Sequence, residues 1–170
     1  MGFITPNDYD SLRTLYTGQL QYLLSTETQI VAGLESMITH AEDKQLQQAF
    51  QSHQQETKVH AERIEKLLKE LLGKADDKKD PIITALIASG VNIVRESSAG
   101  AVRDAGLIGT AQKIEHYEIA SYGTARDWAK NLGLAQHVDV LEKTLNEEKH
   151  ADHLLTTISQ RENVAAANEK

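Results

Sequence analysis

Apolar residues recur along most of the chain with the 3.6-residue period of amphipathic helices, and no stretch shows the alternation typical of a β-strand. This pattern predicts four long helices and one shorter helix, over about residues 5–41, 43–73, 81–96, 101–131 and 134–161. Thr5 and Pro6 form a typical helix start, and Gly73 is a suitable residue just past a helix end. Residues 163–170 are predicted to form a flexible C-terminal tail.

The connections between the predicted helices differ in length. Short turns join the first two long helices and the last two, so each pair should be antiparallel. A link of roughly 27 residues, which includes the 81–96 helix, joins the two pairs and is long enough to cross the length of a bundle. The sequence therefore predicts an all-α fold in a single domain over residues 1–162: a ferritin-like four-helix bundle with one long crossover that carries an extra short helix. An up-and-down bundle with a surface helix has the same periodicity and is the alternative.

Polar residues interrupt the apolar stripe of every long helix at positions where a core side chain is expected. In chain order these residues are Glu27, His53, Glu56, His60, Glu115, Glu118, Tyr122, Glu148 and Asp152. A carboxylate at such a position loses its hydration, so its burial requires a compensating partner. The interruptions therefore indicate a chemical role.

The carboxylates are spaced so that they can meet. Glu27 and Glu56 lie at nearly equal distances from the turn between their helices, and Glu118 and Glu148 do the same in the second pair. At about 1.5 Å per residue each lies roughly 20 Å from its turn, in the middle of the bundle. If the crossover sets the second and third long helices parallel, Glu115 joins the same level.

Several acids buried together require cations, because like charges raise each other's pKa and each carboxylate loses hydration. Two divalent metal ions would supply a charge of +4, and an oxygen-rich set of ligands suits iron or manganese better than zinc. The predicted metal ligands are Glu27, His53, Glu56, Glu115, Glu118 and Glu148. Any one of them could instead be a paired core residue, but their coincidence on four helices favours a dinuclear metal site.

Four further residues are predicted to contact the ligands rather than the metals, namely His60, Tyr122, Glu147 and Asp152. Tyr122 is expected to pack in the core with its hydroxyl bonded to a carboxylate, although a phenol near the metals could also relay an electron. Glu147 and Glu148 straddle the apolar stripe, so the sequence leaves open which of them is the ligand. The remaining histidines are expected to face solvent, and these are His40, His116, His137, His150 and His153.

Four stretches resemble the YciE/YciF family of ferritin-like proteins: FQSHQQET at 50–57, RDA at 103–105, KIEHYEIASYG at 113–123 and LNEEK at 145–149. The resemblance implies a ferritin-like bundle with a dinuclear metal site, a tendency to dimerise and an association with bacterial stress responses. One departure concerns the histidine that the general ferritin-like pattern places three residues after a glutamate. Val59 follows Glu56 at that spacing and Ala151 follows Glu148, so Glu115 is expected to replace a missing histidine.

Composition narrows the possible functions. The 170 residues contain no cysteine, which excludes disulfides, iron–sulfur clusters and thiolate zinc sites. The 18 Lys and Arg are scattered among 25 Asp and Glu, for a net charge of −7, so nucleic acid is not an expected partner. The chain shows neither a secretory leader nor the run of roughly 18 apolar residues that a membrane span needs, so we expect a cytoplasmic protein with no membrane partner.

The sequence thus predicts a dinuclear iron or manganese carboxylate protein of the bacterial stress response, with O₂ or peroxide as its reaction partner. The expected chemistry is ferroxidase-like oxidation or a peroxidase- or catalase-like reaction. Reductive turnover would need an external electron donor, because the chain has no cysteine to bind a built-in iron centre of the rubredoxin type. A homodimer is expected. The alternative is a non-catalytic, metal-binding structural stress protein, and an iron-storage shell is less favoured because no helix follows the last predicted one.

Overall fold

The computed structural model describes residues 9–169, which form five helices and no strand. The helices are α1 (Leu12–His40), α2 (Lys44–Leu72), α3 (Pro81–Glu96), α4 (Ala101–Asn131) and α5 (Ala135–Asn168). Two hairpins, α1 with α2 and α4 with α5, pack so that α1 contacts α4 and α2 contacts α5, and α3 lies against α1 and α4. This arrangement confirms the ferritin-like four-helix bundle with a helix in its long crossover. No helix in the described part of the chain combines the length and apolar character that crossing a membrane requires.

The first helix begins later than the sequence predicts. Ser11 caps α1, because its hydroxyl accepts from the Thr14 amide at 3.2 Å while the Thr14 hydroxyl accepts from the Ser11 amide at 3.0 Å. Residues 9–11 are not helical, so the predicted start at residue 5 is wrong there. Thr5 and Pro6 themselves lie outside the described residues.

The last helix ends later than the sequence predicts. Residues 163–168, expected to belong to a flexible tail, continue α5 as far as Asn168. The Glu169 carboxylate then accepts hydrogen bonds from the backbone amides of Ala101 at 2.8 Å and Val102 at 3.3 Å. Gly100 has no side chain that could cap α4. Glu169, which follows the last residue of α5, therefore accepts from the free amides at the start of α4. This contact between distant parts of the chain holds the end of α5.

The core consists of two apolar clusters that are separated along the bundle axis. One cluster includes Tyr16, Leu20, Ile64, Leu68, Ala125 and Leu141. The other includes Ile30, Leu34, Phe50, Leu107, Ile114 and Leu155. Each long helix contributes to both clusters, and the stretch between its two contributions carries buried polar side chains. The bundle is thus apolar on both sides of a polar layer, which is where the candidate site lies.

Candidate metal centre

Six buried acidic and imidazole side chains occupy the polar layer. They are Glu27 from α1, His53 and His60 from α2, Glu115 and Glu118 from α4, and Glu148 from α5. Each is at most 8% exposed to solvent. All four long helices therefore contribute to one cluster of four carboxylates and two imidazoles, as the polar interruptions in the sequence predict.

The six residues form two groups that share Glu148. His53, Glu115, Glu118 and Glu148 make up the first group, and in it one possible ligand atom from each residue lies within 4.8 Å of the others. Glu27, His60 and Glu148 make up the second group by the same measure. Glu148 is thus the one residue common to both groups. These buried groups could hold metal.

The close pairs in the cluster lack the geometry of hydrogen bonds. His53 Nε2 lies 3.1 Å from Glu115 Oε1, and His60 Nδ1 lies 2.8 Å from Glu148 Oε1 and 3.8 Å from Glu27 Oε2. Neither of these two imidazole nitrogens has a hydrogen-bond partner within residues 9–169. In those residues nine buried side-chain nitrogen and oxygen atoms lack a partner, and all nine belong to the six cluster residues.

These unpaired donor and acceptor atoms indicate whether the six residues suit a metal ion. A buried polar atom without a partner costs about 1–3 kcal/mol, so native proteins contain few of them. Here they converge on one layer from four helices and consist of carboxylate oxygens and imidazole nitrogens, which are the ligands that divalent transition metals take. The donor set fits such ions.

Burial makes the carboxylates hold protons when no cation is bound. Burial, with the Glu148 charge as the second cause, raises the pKa of Glu27 to about 8. Burial also raises the pKa of Glu118 and of Glu148 well above the usual range, and the nearby carboxylates add to the effect. Near neutral pH, metal ions must therefore displace protons from the cluster.

The two histidines respond to burial differently. Burial lowers the pKa of His60, which favours the neutral imidazole that a metal requires. Burial also opposes the charge on His53, but the neighbouring carboxylates, Glu115 first, outweigh it and raise the pKa of His53 well above its usual value. The cluster thus carries a proton on His53 that an incoming cation would replace.

Residues next to the cluster hold its members in position. The Tyr122 hydroxyl donates a hydrogen bond to Glu27 Oε1, as the sequence predicts. His60 Nε2 lies 3.0 Å from Glu147 Oε2, and Glu147 is in turn paired with the Arg63 guanidinium. These contacts of Arg63 and Glu147 orient the His60 ring so that its Nδ1 faces the cluster. Arg63 is a supporting residue that sequence reasoning missed, although a basic residue one turn after a buried histidine is a detectable signal.

The structure places one predicted ligand, Glu56, outside the cluster. Its side chain is 47% exposed, and Glu56 Oε2 lies 3.9 Å from His53 Nδ1. Glu56 lies at the edge of the buried stripe of α2, where Thr57 and His60 take the core positions. The expectation that Glu56 faces the interior is therefore wrong. His60, predicted only to support a ligand, belongs to the second group instead.

Two further predicted positions have partners outside the cluster. Asp152 was expected to orient a ligand, and its carboxylate lies 3.4 Å from both Gln112 Nε2 and His116 Nδ1 on α4. His137, expected to face solvent, is buried and lies between the Tyr16 hydroxyl at 2.9 Å and Glu70 Oε2 at 3.1 Å.

Geometry distinguishes the two adjacent glutamates. Glu148 is fully buried and belongs to both groups, whereas Glu147 points to Arg63 and His60. The sequence alone could not separate them because both border the apolar stripe. His150, three residues after Glu147, is exposed as predicted.

Comparisons with known proteins agree with the fold. A family model described as "Domain of unknown function (DUF892)" matches residues 11–168. Protein YciF of Escherichia coli (strain K12) is 37% identical over 136 residues, which is 79% of this chain and 82% of that protein.

Two solved structures superimpose on most of the chain. The E. coli stress protein YciF has a TM-score of 0.85 at 32% identity, with 95% of this chain and 99% of that chain covered. YcfI from Rhodopseudomonas palustris, described as a candidate structural protein, has a TM-score of 0.87 at 35% identity, with 91% and 98% covered. The chain therefore belongs to the DUF892 family, the family of YciF-like stress proteins, as the resemblance in its sequence indicates.

Proposed function

We propose that this protein binds two divalent transition-metal ions, iron or manganese, between its four long helices and reacts with O₂ or peroxide. The observation that carries the proposal is the set of nine unpaired buried atoms in residues 9–169, all on the six cluster residues. Two divalent ions bring a charge of +4, which matches the four buried carboxylates in the cluster. Cations would thus remove both the unpaired polar atoms and the mutual repulsion of the acids.

The ligand types favour iron and manganese. The first group offers one imidazole and three carboxylates, and the second offers one imidazole and two carboxylates, one of them shared. Oxygen-rich ligands of this kind suit Mn²⁺ and Fe²⁺, whereas structural zinc prefers sulfur and nitrogen in a closed tetrahedron. When bound, iron or manganese ions can each exchange one electron with O₂ or peroxide.

The chain's own residues prepare the site for this role. Tyr122 keeps one oxygen of Glu27 engaged, so the other oxygen faces the cluster. Glu147, itself paired with Arg63, engages Nε2 of His60, so the other ring nitrogen faces the cluster. The apolar clusters on both sides restrict water at the centre. A reductive reaction needs an external electron donor because the chain has no cysteine, whereas disproportionation of peroxide needs none.

A second candidate function is a non-catalytic, metal-binding structural role in the stress response. Ligands from all four long helices would let the metals cross-link the bundle, and such ions stabilise the fold without any turnover. The description of the R. palustris relative as a candidate structural protein favours the same role.

The two functions are separated by loading the protein with Fe²⁺ without oxygen and then adding O₂ or H₂O₂ while absorbance and oxidant concentration are followed. The catalytic proposal predicts metal-dependent consumption of an oxidant by the wild type and its loss in Glu148→Gln. Glu62→Gln, an exposed carboxylate change on α2, is the control and should behave as wild type. Stoichiometric metal binding without oxidant consumption would support the structural role, and absence of binding would reject both.

A further inference from the structure

A cleft between the helices leads from the surface to the cluster. It has a volume of about 80 Å³ and is lined mainly by apolar side chains, including Phe50 and Leu154. Its polar lining includes Glu56 and His53 on α2 and Glu115 on α4. The cleft therefore connects the half-exposed Glu56 carboxylate with residues of the first group.

The imidazole of His53 stands between the cleft and the cluster. Its Nε2 faces inward, 3.1 Å from Glu115 Oε1, whereas its Nδ1 lies 3.9 Å from Glu56 Oε2. His53 is only 8% exposed, and its Nδ1 has no hydrogen-bond partner in residues 9–169. A buried nitrogen without a partner is thus directed towards a carboxylate on the outer side of the cluster.

The spacing of these two atoms suits a small cation. Divalent transition metals bind nitrogen and oxygen ligands at roughly 2.0–2.2 Å, so two such bonds span at most about 4.4 Å. The separation of 3.9 Å between Glu56 Oε2 and His53 Nδ1 lies within that reach. Two protein ligands completed by water make a weak site, which is suited to transient binding.

A second groove beside Glu56 is lined by side chains that already pair with one another. It contains His60, Arg63 and Glu147 as well as Glu56. The Arg63 guanidinium is paired with Glu147, and Glu147 also holds His60. Glu56 forms no ion pair with Lys or Arg among the described residues. The cleft next to His53 is the opening that connects Glu56 with the first group.

We propose that Glu56 and His53 Nδ1 form an access site, where divalent cations from solvent bind before they pass to the buried cluster. This inference rests on the proposed metal-binding function and assigns Glu56 a role outside the final centre. It also accounts for the position of Glu56 at the edge of the stripe, where it is half in solvent and beside the first group.

The test is the rate at which the metal-free protein takes up Co²⁺ without oxygen, followed by the cobalt absorption bands in a stopped-flow instrument. Elemental analysis then gives the final number of ions per chain. We expect Glu56→Gln to slow uptake by about tenfold, the low end of electrostatic steering effects, with two ions bound at the end. Glu62→Gln makes the same change of charge on the same helix and should load at the wild-type rate.

Each other result overturns the inference in a distinguishable way. If Glu56→Gln lowers the final number of ions, Glu56 is a permanent ligand. If Glu56→Gln loads as fast as wild type while the wild type binds two ions, only the access site is rejected. If the wild type binds no cobalt, both the proposed function and the access site fail.

Discussion

At the scale of single residues, Glu148 connects the two halves of the cluster because it belongs to both groups. Its burial and the neighbouring Glu115 charge raise its pKa well above the usual range, so the ionised form destabilises the metal-free fold. In the proposed function both metals would share this carboxylate. A neutral side chain at this position would thus favour the metal-free fold, whereas the charged carboxylate would favour metal binding.

Glu148→Gln is therefore expected to stabilise the metal-free protein and to weaken the metal-bound one. The amide has nearly the same shape but no charge, so at pH 8 the metal-free variant avoids the cost of burying this carboxyl group and should unfold at a higher urea concentration than wild type. Urea unfolding with a chelator and with saturating Mn²⁺ measures both effects. A metal-free variant less stable than wild type, with an undiminished response to Mn²⁺, would contradict the role of Glu148.

The acids of the cluster also predict how metal-free stability depends on pH. The folded chain keeps protons on Glu27, with a pKa of about 8, and on Glu118 and Glu148, whereas the unfolded chain releases them above its ordinary value near 4.5. Because the folded state binds more protons, stability falls as pH rises from about 5 to 8. The raised pKa of His53 acts in the same direction, and the lowered pKa of His60 opposes it only below its ordinary value of 6.5.

Urea unfolding of the chelator-treated protein at pH 5, 6.5 and 8 tests this dependence. Saturating metal should reduce it, because bound cations favour the ionised carboxylates. Glu27→Gln should flatten the metal-free profile. A metal-free protein that gains stability steadily from pH 5 to 8 would show that the buried carboxylates are not the dominant titrating groups.

The hydrogen bonds that join buried Tyr16 and His137 to the exposed Glu70 lead to a separate prediction. Removal of the Tyr16 hydroxyl leaves His137 Nδ1 without its partner at 2.9 Å. We expect Tyr16→Phe to lower the free energy of unfolding by about 1–3 kcal/mol. Tyr9→Phe, which removes an exposed phenol, is the control. Equal stability of the two variants would mean that the buried hydrogen bond contributes nothing net.

The cluster itself could largely be predicted from the sequence. Glu27, Glu118 and Glu148 each interrupt an apolar stripe at a matching distance from a turn, and both facts can be read without a structure. The choice between Glu56 and His60 could not be read, because both border the same stripe and packing against α5 decides which one is buried.

At the scale of helices, local signals located both ends of α2. Asp43 caps α2 and Gly73 ends it with a φ of +73°, as their types predict. The end of α5 is different, because it depends on the contact between Glu169 and the start of α4. A contact between residues 68 positions apart leaves no trace in local periodicity.

Glu169→Gln is therefore expected to destabilise the protein slightly. The carboxylate lies at the N-terminus of α4, where a negative charge contributes about 0.3–1 kcal/mol at low ionic strength. Chemical unfolding in low and high salt, with Glu62→Gln as control, measures the loss and its screening. The absence of any difference at low salt would show that the contact does not stabilise the helix ends.

At the scale of the whole molecule, the fold places one polar layer between two apolar clusters and draws the candidate ligands in that layer from all four long helices. The bundle topology could be predicted because the helices are long and strongly periodic and because one connection alone is long. Metals bound only by the folded state would stabilise it, by about 4 kcal/mol at a thousand times the dissociation constant. Metal content is therefore the property that tests the proposed dinuclear site most directly.

The most direct measurement of this property is elemental analysis of the protein after loading with iron or manganese, with Glu148→Gln and Glu62→Gln prepared in parallel. A dinuclear site that includes Glu148 predicts two ions per chain in the wild type and in Glu62→Gln, and fewer in Glu148→Gln. Fewer than one ion per chain in the wild type, with no further loss in Glu148→Gln, would contradict a dinuclear metal site in the polar layer.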